Sequence, residues 1–420
     1  MSYRAPTHEM LFMMRHVGEL ERAIDDGTYP DLSLDVVENI LQEAARFSAE
    51  VLAPINRPGD RHGAQLCDGA VTTAPGFKEA YQSWIGGGWN ALAGPAAYGG
   101  QDLPLLLNAG CSEMWNGACL AFGVAPLLTF GGVEALAAHG SEDLKQLYLE
   151  KLVAGECTAT MNLTEPQAGS DLSAIRTRAE PCGDGSYRIS GQKIFISYGE
   201  HDLTDNIIHF VLARLPDAPR GTCGISLFLV PKIMPDGSRN DVRCSSLEHK
   251  LGIHASPTCT MIYGDGGGAR GWLLGEEHRG LACMFTMMNS ARLSVALQGV
   301  AIAERACQDA VAFALERRQG AVPAPNGNGM APIITHADVR RMLATMRGLT
   351  NAARAIAYAT AAAIDRSQRC QDATERQAAS DRAALLTPVA KAFATDIAVE
   401  VASLGIQVHG GMGFIEETGA

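Results

Sequence analysis

The feature that most constrains the fold of this chain is a block of short β-rich segments between two long helix-rich regions. The block begins near Cys157 and ends near residue 278, and Gly, Asp and Pro separate its apolar segments, a pattern typical of strands and turns. The clearest segments are residues 187–190, 193–196, 207–212 and 225–230. We therefore predict a helical domain over residues 1–156, a compact β domain over 157–278 and a second helical domain over 279–420.

Helical periodicity is clear on both sides of this block. Apolar residues recur at helical spacing from Leu34 to Leu52, Ser33 is a candidate N-cap, and Pro54 and Pro58 predict the end of this helix. The loop predicted between helices in the last third is Gly320–Pro332, which is rich in Gly, Pro and Asn. Further helices are predicted over residues 76–84, 105–120, 144–154, 281–318 and 339–364.

The best-defined apolar stripe lies near the end of the chain, where apolar residues are spaced four apart. This spacing predicts a helix with one apolar face. The residues are Leu385, Val389, Phe393, Ile397 and Val401.

Charge and composition exclude several classes of protein. The formal net charge is −12, which argues against general nucleic-acid binding because that binding depends on Lys and Arg neutralising phosphates. The eleven cysteines show no metal-ligand spacing, so reduced thiols are expected and no metal site is predicted. No run of about 18 apolar residues or signal-peptide core is present, so we expect a cytoplasmic protein without a membrane span.

The most informative stretch is the string TEPQAGSD over residues 164–171. Pro166 and Gly169 favour irregular backbone there, so that amides can converge on an anion and Ser170 can add a hydroxyl. Taken alone, the string is equally compatible with a capped turn. Five further strings follow it in order: GQKIFIS at 191–197, LGIH at 251–254, LGEE at 274–277, ALERRQ at 314–319 and QVHGGMGF at 407–414.

In this order, the series resembles the acyl-CoA dehydrogenase family over roughly residues 80–420. The opening YRAP and the QDLP string at 101–104 resemble the long subgroup of that family, which includes 3-methylthiopropanoyl-CoA dehydrogenases. The resemblance implies a mainly α fold with an N-terminal helical domain, a middle β-barrel-like domain and a C-terminal four-helix bundle. It also implies FAD as cofactor, an acyl-CoA substrate, an electron-transfer flavoprotein as electron acceptor, and a homodimer or homotetramer.

The resemblance assigns the flavin ring to the end of one strand. It implies that Met161, Leu163 and Thr164 line the ring and that amides there, with the Thr164 hydroxyl, bond its polar edge. Such bonds stabilise the negative charge of reduced flavin. By the same resemblance, Gly169 and Ser170 contact the FAD diphosphate region, and Ser170 also contacts the pantetheine arm of the substrate.

A second strand carries two further residues that the resemblance assigns to the flavin. Phe195 would pack against the isoalloxazine, and the hydroxyl of Ser197 would bond N5. Taken alone, Phe195 is better explained as a core residue of a strand.

The helical region carries the remaining implied contacts. Arg317 and Gln319 match positions that reach the FAD of a partner subunit, and Arg suits phosphate because its planar donors pair with phosphate oxygens. Gln407, Gly410 and Gly411 match another partner contact, in which glycine lets the backbone approach the cofactor closely. Taken alone, Arg317 would belong to a solvated helix end.

Three other residues lie within the motifs or on the long helix. Arg292 matches an Arg near the substrate in relatives, and an interhelix ion pair is the equally good alternative. His254 and His409 are interpreted as structural histidines.

The catalytic base is the point at which the sequence departs from the family pattern. In most relatives it is a Glu that follows the Gly-rich motif and one further helix, so we expect it beyond residue 420. Some relatives carry the base directly before the Arg matched by Arg292, where this chain has Ala291, so we predict no catalytic residue within the 420. We expect these residues to be a fragment, or the ordered part, of a longer enzyme.

Three functions remain open from the sequence. The favoured one is α,β-dehydrogenation of an acyl-CoA thioester to 2-enoyl-CoA, with the α proton going to a Glu and a hydride to flavin N5. The second is an acyl-CoA oxidase-like flavoenzyme that passes its electrons to oxygen. The third is a non-catalytic flavin- or CoA-binding protein on the same fold.

Overall fold

The computed structural model describes residues 3–322 and 329–419, and its elements follow the predicted order of helices, strands and helices. The helices are α1 (Thr7–His16), α2 (Leu20–Asp25), α3 (Leu34–Phe47), α4 (Ala53–His62), α5 (Phe77–Gly86), α6 (Leu105–Ala118), α7 (Leu120–His139), α8 (Glu142–Ala154), α9 (Gly280–Glu316), α10 (Ala337–Arg369) and α11 (Ala373–His409). The strands are β1 (Gln65–Cys67), β2 (Ala70–Thr72), β3 (Cys157–Asn162), β4 (Arg178–Pro181), β5 (Tyr187–Ser197), β6 (Asn206–Arg214), β7 (Ile225–Pro231), β8 (Val242–Leu247), β9 (Thr258–Tyr263), β10 (Ala269–Leu274), β11 (Arg318–Val322) and β12 (Gly329–Pro332).

The chain divides into two compact units. The first, here called the bundle unit, comprises Met1–Ala53, Pro104–Leu120 and Arg292–Ala420. The second, the sheet unit, comprises Pro54–Leu103 and Ala121–Ala291. The sheet unit therefore contains the whole predicted β domain, together with α4, α5, α7 and α8.

The large sheet of the sheet unit closes on itself. Its strands are ordered β10-β7-β6-β4-β5-β9-β8, and β10 pairs antiparallel with β5 as well as with β7. β3 adds to this sheet as a parallel partner of β6. The pairing of β10 with β5 closes β10, β7, β6, β4 and β5 into a ring, which gives the barrel-like form that was predicted.

One buried helix of the sheet unit was not predicted. α7 has eleven buried residues and no polar face, so the apolar periodicity that identifies a surface helix is missing. Among the described residues it is the one helix long and apolar enough to cross a membrane by length and composition. This is weak evidence for a membrane span, because 61% of its most apolar stretch is buried, as in the core helices of soluble proteins.

Two local predictions were wrong. The prolines after α3 do not end the helical path, because a π-helical turn at Ser48–Leu52 resets the hydrogen bonding and places Pro54 in the first turn of α4, where a missing N–H is tolerated. Pro58 lies inside α4. The predicted loop Gly320–Pro332 begins and ends in the paired strands β11 and β12, and residues 323–328 lie outside the described part of the chain.

The apolar stripe on α11 changes faces along the helix. Leu385 and Val389 are 68% and 44% exposed, whereas Ile397 and Val401 are buried. A helix turns about 100° per residue, so residues spaced four apart drift by about 40° at each step and the stripe winds from solvent into the bundle. The buried face of α11 is instead built largely from small residues, including Ala383, Ala390, Ala394 and Gly405.

A buried ionic cluster joins three helices of the bundle unit. Arg354 of α10 donates to Glu113 of α6 at 2.7 Å and to Glu304 of α9 at 2.8 Å, and its side chain is fully buried. The hydroxyl of Tyr358 donates to Glu113 at 2.9 Å. The cluster is therefore closely hydrogen-bonded, which is the condition under which buried charges are tolerated.

We expect Arg354→Met to lower the free energy of unfolding by about 3–5 kcal/mol, because it leaves two buried carboxylates without their main partner. Urea unfolding monitored by circular dichroism measures this loss. The matched control is Arg341→Met, which removes an exposed pair with Asp338 and should change stability by less than about 1 kcal/mol. Equal losses in the two variants would contradict the prediction.

Candidate functional site

Two hydrogen bonds join the end of β3 to β5 in the sheet unit. The hydroxyl of Thr160 donates to the carbonyl oxygen of Ser197 at 3.0 Å, and the amide of Ile194 donates to the carbonyl oxygen of Thr164 at 2.9 Å. These bonds connect the two segments that carry the predicted flavin-ring contacts. The residues gathered in this way are Met161, Leu163, Thr164, Phe195 and Ser197.

Phe195 is presented to solvent by an irregular stretch of β5. Its side chain is 58% exposed, and its backbone is left-handed with φ = 60°, at a break in the pairing register between Lys193 and Ile196. The interpretation of Phe195 as a core strand residue is therefore wrong. The other four residues of the group are half-buried, so they can contact both the fold and a ligand.

The loop after β3 offers free amide donors. Gly169 and Ser170 are exposed, and a Cβ at Gly169 would meet no atom within 4 Å. Within residues 3–322 and 329–419, the amides of Thr164, Gly169 and Ser170 make no hydrogen bond. Free amide donors and an exposed aromatic ring, on two segments that are hydrogen-bonded to each other, fit a cofactor that has both a flat ring and phosphates.

Two charged residues, one in this loop and one on β5, were not assigned a role from the sequence. Lys193 of β5 is fully buried and donates both to Glu165 at 2.8 Å and to the carbonyl oxygen of Leu163 at 3.0 Å. Lys193 lies next to Gln192 in a strand that also carries Arg188, so the sequence around it is typical of a half-exposed strand and does not indicate that its side chain is buried. A weak signal for its burial is the apolar run at residues 194–196 that follows it directly.

Glu165 ties the loop to its surroundings through many donors. Its carboxylate accepts bonds from the amide of Arg176 at 2.6 Å, from the amide and hydroxyl of Thr177 at 3.1 and 2.6 Å, and from the side chain of Gln167 at 2.6 Å, in addition to Lys193. Burial alone would raise the pKa of Glu165, but Lys193 and these donors lower it below its usual value. Burial lowers the pKa of Lys193 to about 8, although Glu165 opposes that shift.

The other predicted contacts lie in the bundle unit. The rings of Phe313 in α9 and His409 in α11 are 4.4 Å apart, so the ends of the two helices lie side by side. Arg317, at the end of α9, is exposed. All five predicted contacts in the bundle unit are exposed: Arg317, Gln319, Gln407, Gly410 and Gly411. The backbone of Gly410 is left-handed, with φ = 62°.

The two motif histidines have structural partners. His254 contacts Asp60 at 2.9 Å through Nδ1 and the carbonyl oxygen of Lys250 at 2.9 Å through Nε2, while Nδ1 of His409 contacts the carbonyl oxygen of Gly405 at 2.8 Å. Both observations agree with a structural role. Arg292 is half-buried on α9.

A carboxyl that the sequence did not single out lies on α7. Glu134 is half-buried, and burial raises its pKa to about 7, although a hydrogen bond with Ser290 of α9 opposes the shift. Ser290 directly precedes Ala291. Glu134 is thus a group in the sheet unit that can hold or release a proton near neutral pH.

Comparison with known families identifies three consecutive domains along the chain. Residues 36–156 match the acyl-CoA dehydrogenase N-terminal domain, residues 160–265 the middle domain and residues 278–420 the C-terminal domain. These ranges follow the same order as the helices, strands and helices described above.

Individual relatives give the same result. The chain is 48% identical to 3-methylmercaptopropionyl-CoA dehydrogenase of Ruegeria pomeroyi, over all of this chain and 71% of that protein. The solved structure of butyryl-CoA dehydrogenase from Megasphaera elsdenii is 26% identical, with a TM-score of 0.74 over 92% of this chain and 91% of the other. An acyl-CoA dehydrogenase from Bacillus anthracis, solved in complex with FAD, shares the fold with a TM-score of 0.75 at 24% identity, over 93% of this chain and 62% of the other.

We expect Glu134→Gln to stabilise the protein more at pH 8 than at pH 5. The pKa of the Glu134 carboxyl is about 7 in the folded protein and near 4.5 in the unfolded chain, so below pH 4.5 the neutral carboxyl contributes fully to stability. This contribution is lost as the pH rises through about 7, where the buried carboxyl becomes charged. Urea unfolding at the two pH values should show the variant gaining about 1–2 kcal/mol relative to the unchanged protein between pH 5 and pH 8. Glu79→Gln, at an exposed position on α5, is the control, and a pH-independent difference for Glu134→Gln would contradict the prediction.

Proposed function

The chain belongs to the acyl-CoA dehydrogenase family, and we propose that its substrate is 3-methylmercaptopropionyl-CoA or a thioester of similar short thioether chain. The reaction is the FAD-dependent α,β-dehydrogenation of an acyl-CoA to its 2-enoyl-CoA. The observation that carries the finer proposal is the 48% identity over the full chain to the Ruegeria pomeroyi enzyme. The proposed domain boundaries remain 1–156, 157–278 and 279–420.

The flavin ring would lie against the group formed by the end of β3 and by β5. FAD supplies a hydride acceptor when it is bound. The protein would place the half-buried Met161 and Leu163 beneath the ring, the Thr164 amide and hydroxyl at its polar edge, and the Ser197 hydroxyl near N5. Phe195 supports this proposal because its aromatic side chain is exposed and its backbone is strained, and strained residues cluster at ligand sites.

The phosphates and the substrate arm would use the neighbouring loop. The free amides of Gly169 and Ser170, with the Ser170 hydroxyl, suit the FAD diphosphate and the pantetheine arm. Arg292 on α9 is proposed as a further substrate contact. The base that takes the α proton stays a prediction, since the resemblance puts it beyond residue 420.

A homodimer or homotetramer is proposed from two features of the bundle unit. The exposed residues Arg317, Gln319, Gln407, Gly410 and Gly411 match positions that contact FAD of a partner subunit in relatives. In addition, four apolar residues of α11 are exposed: Leu385, Val389, Val399 and Ile406, here called the exposed α11 group. Single exposed apolar residues are normal, but a group of them on one helix indicates a protein contact.

The electron acceptor is proposed to be an electron-transfer flavoprotein. A cytoplasmic location is proposed with it, because this partner is a soluble protein.

An oxidase would differ in the fate of its reduced flavin, which would be reoxidised rapidly by air. A non-catalytic protein would bind FAD or CoA thioesters without flavin reduction. Anaerobic photometry followed by admission of air separates the three.

We expect the protein, purified with the segment after residue 420 in which the resemblance puts the base, to show a flavin absorbance band that is bleached anaerobically by 3-methylmercaptopropionyl-CoA and returns slowly in air. Should the band be present but persist with every acyl-CoA tested, the non-catalytic alternative would be favoured. An absent band after incubation with FAD would contradict cofactor binding.

Phe195→Ala should weaken FAD binding by about three- to tenfold, because an aromatic contact contributes about 0.5–1.5 kcal/mol beyond its buried area. Fluorescence titration with FAD measures the affinity. Phe12 is a matched control, since it is also exposed, at 56%, but lies on α1 in the bundle unit. Equal affinities for Phe195→Ala and Phe12→Ala would remove Phe195 from the site.

The proposed subunit interface is tested at the exposed α11 group. Leu385→Lys combined with Val399→Lys should shift the protein toward monomers in sedimentation velocity, because burying two unpaired ammonium groups opposes association. Val36→Lys, at a 40% exposed position on α3, should leave the oligomer unchanged. An unaltered sedimentation profile of the double variant would exclude this face from the interface.

A further inference from the structure

A single peptide group lies between a buried cation and the proposed flavin edge. The carbonyl oxygen of Leu163 accepts a hydrogen bond from Nζ of Lys193 at 3.0 Å, and the N–H of the same peptide belongs to Thr164. In a trans peptide the C=O and N–H point in opposite directions. No acceptor in residues 3–322 and 329–419 takes the Thr164 N–H, so this end of the peptide is available to a ligand.

The cation behind this peptide is held firmly in place. Lys193 is fully buried and its charge is paired with Glu165 at 2.8 Å. Glu165 also accepts bonds from Gln167, Arg176 and Thr177, so its negative charge is spread over several donors besides Lys193. The Lys193 ammonium therefore donates to the Leu163 carbonyl oxygen as well as to Glu165, and its charge is not neutralised by Glu165 alone.

We propose that Lys193 is a positioning residue that raises the reduction potential of the bound flavin by polarising the Leu163–Thr164 peptide. A hydrogen bond from a charged donor to the carbonyl draws electron density toward the oxygen and makes the N–H at the other end a stronger donor. A stronger Thr164 N–H stabilises the negative charge that reduced flavin gains at its polar edge. The inference rests on the proposed function, because it requires FAD at this edge.

The test compares reduction potentials of FAD-loaded variants, measured by dye equilibration. In Lys193→Met, which has neither the charge nor the donor, the ratio of affinities for reduced and oxidised FAD should fall by about three- to tenfold, and tenfold corresponds to ~30 mV for a two-electron couple. Lys193→Gln keeps an N–H donor without the charge and should fall between Lys193→Met and the unchanged protein.

The matched control is Lys232→Met. Lys232 is half-buried and forms another ion pair in the sheet unit, with the buried Glu200, but makes no bond to Leu163. Lys232→Met also removes the Lys partner of a buried carboxylate and should keep the potential of the unchanged protein. A potential that shifts equally in the Lys232 and Lys193 variants would reduce the effect to general loosening of the sheet and overturn the proposal.

The outcomes also separate this inference from the proposed function. An unchanged protein that binds no FAD contradicts the proposed function itself. A protein that binds FAD, with Lys193→Met at an unaltered potential, contradicts only the role of Lys193. If Lys193→Met does not retain FAD, the result for Lys193→Gln decides: a lower potential supports the proposal and an equal one overturns it.

Discussion

A buried ion pair between Lys193 and Glu165 fixes the geometry on which the candidate site depends. Lys193 comes from β5 and Glu165 from the loop after β3, so the pair holds together the two segments that carry the proposed flavin contacts. Removing two charges from water is costly unless their remaining hydrogen-bonding capacity is satisfied. Here Thr177, Arg176 and Gln167 donate hydrogen bonds to the Glu165 carboxylate. The Lys193 ammonium donates a second hydrogen bond, to the Leu163 carbonyl oxygen. The loop thus has little freedom to adopt another arrangement.

The same principle operates in the bundle unit, where Arg354 joins Glu113 and Glu304 on three different helices. The buried faces of α10 and α11 are rich in alanine, whose small side chain allows close approach but gives few distinctive contacts. A hydrogen-bonded ionic cluster supplies the directional contact that small apolar residues lack. Each unit therefore combines an apolar core with buried ionic contacts that specify how its segments align.

Much of this organisation was predictable from the sequence, and the reasons differ between elements. The strands at 187–197, 206–214 and 225–231 were predictable because β-rich segments alternate with Gly, Asp and Pro, and the ordered motif series is specific enough to indicate the family. α7 could not be predicted from periodicity, since it is apolar on all sides. The ion pair of Lys193 and Glu165 could not be predicted either, because burial of a charged side chain is decided by contacts between residues 28 positions apart. The raised pKa of Glu134 depends on tertiary burial in the same way.

Closure of the sheet has a consequence for the alternation of side chains along β5. Its first residues pair with β4, at 187–190, and with β10, at 187–189, whereas residues 191–197 pair with β9 alone. The first half of the strand is therefore held on two sides, and a slip of one residue there would break two ladders at once. The pairing with β9 breaks register between Lys193 and Ile196, so the exposure of Phe195 and the burial of Ile196 depend on this one irregularity and not on regular alternation along the strand.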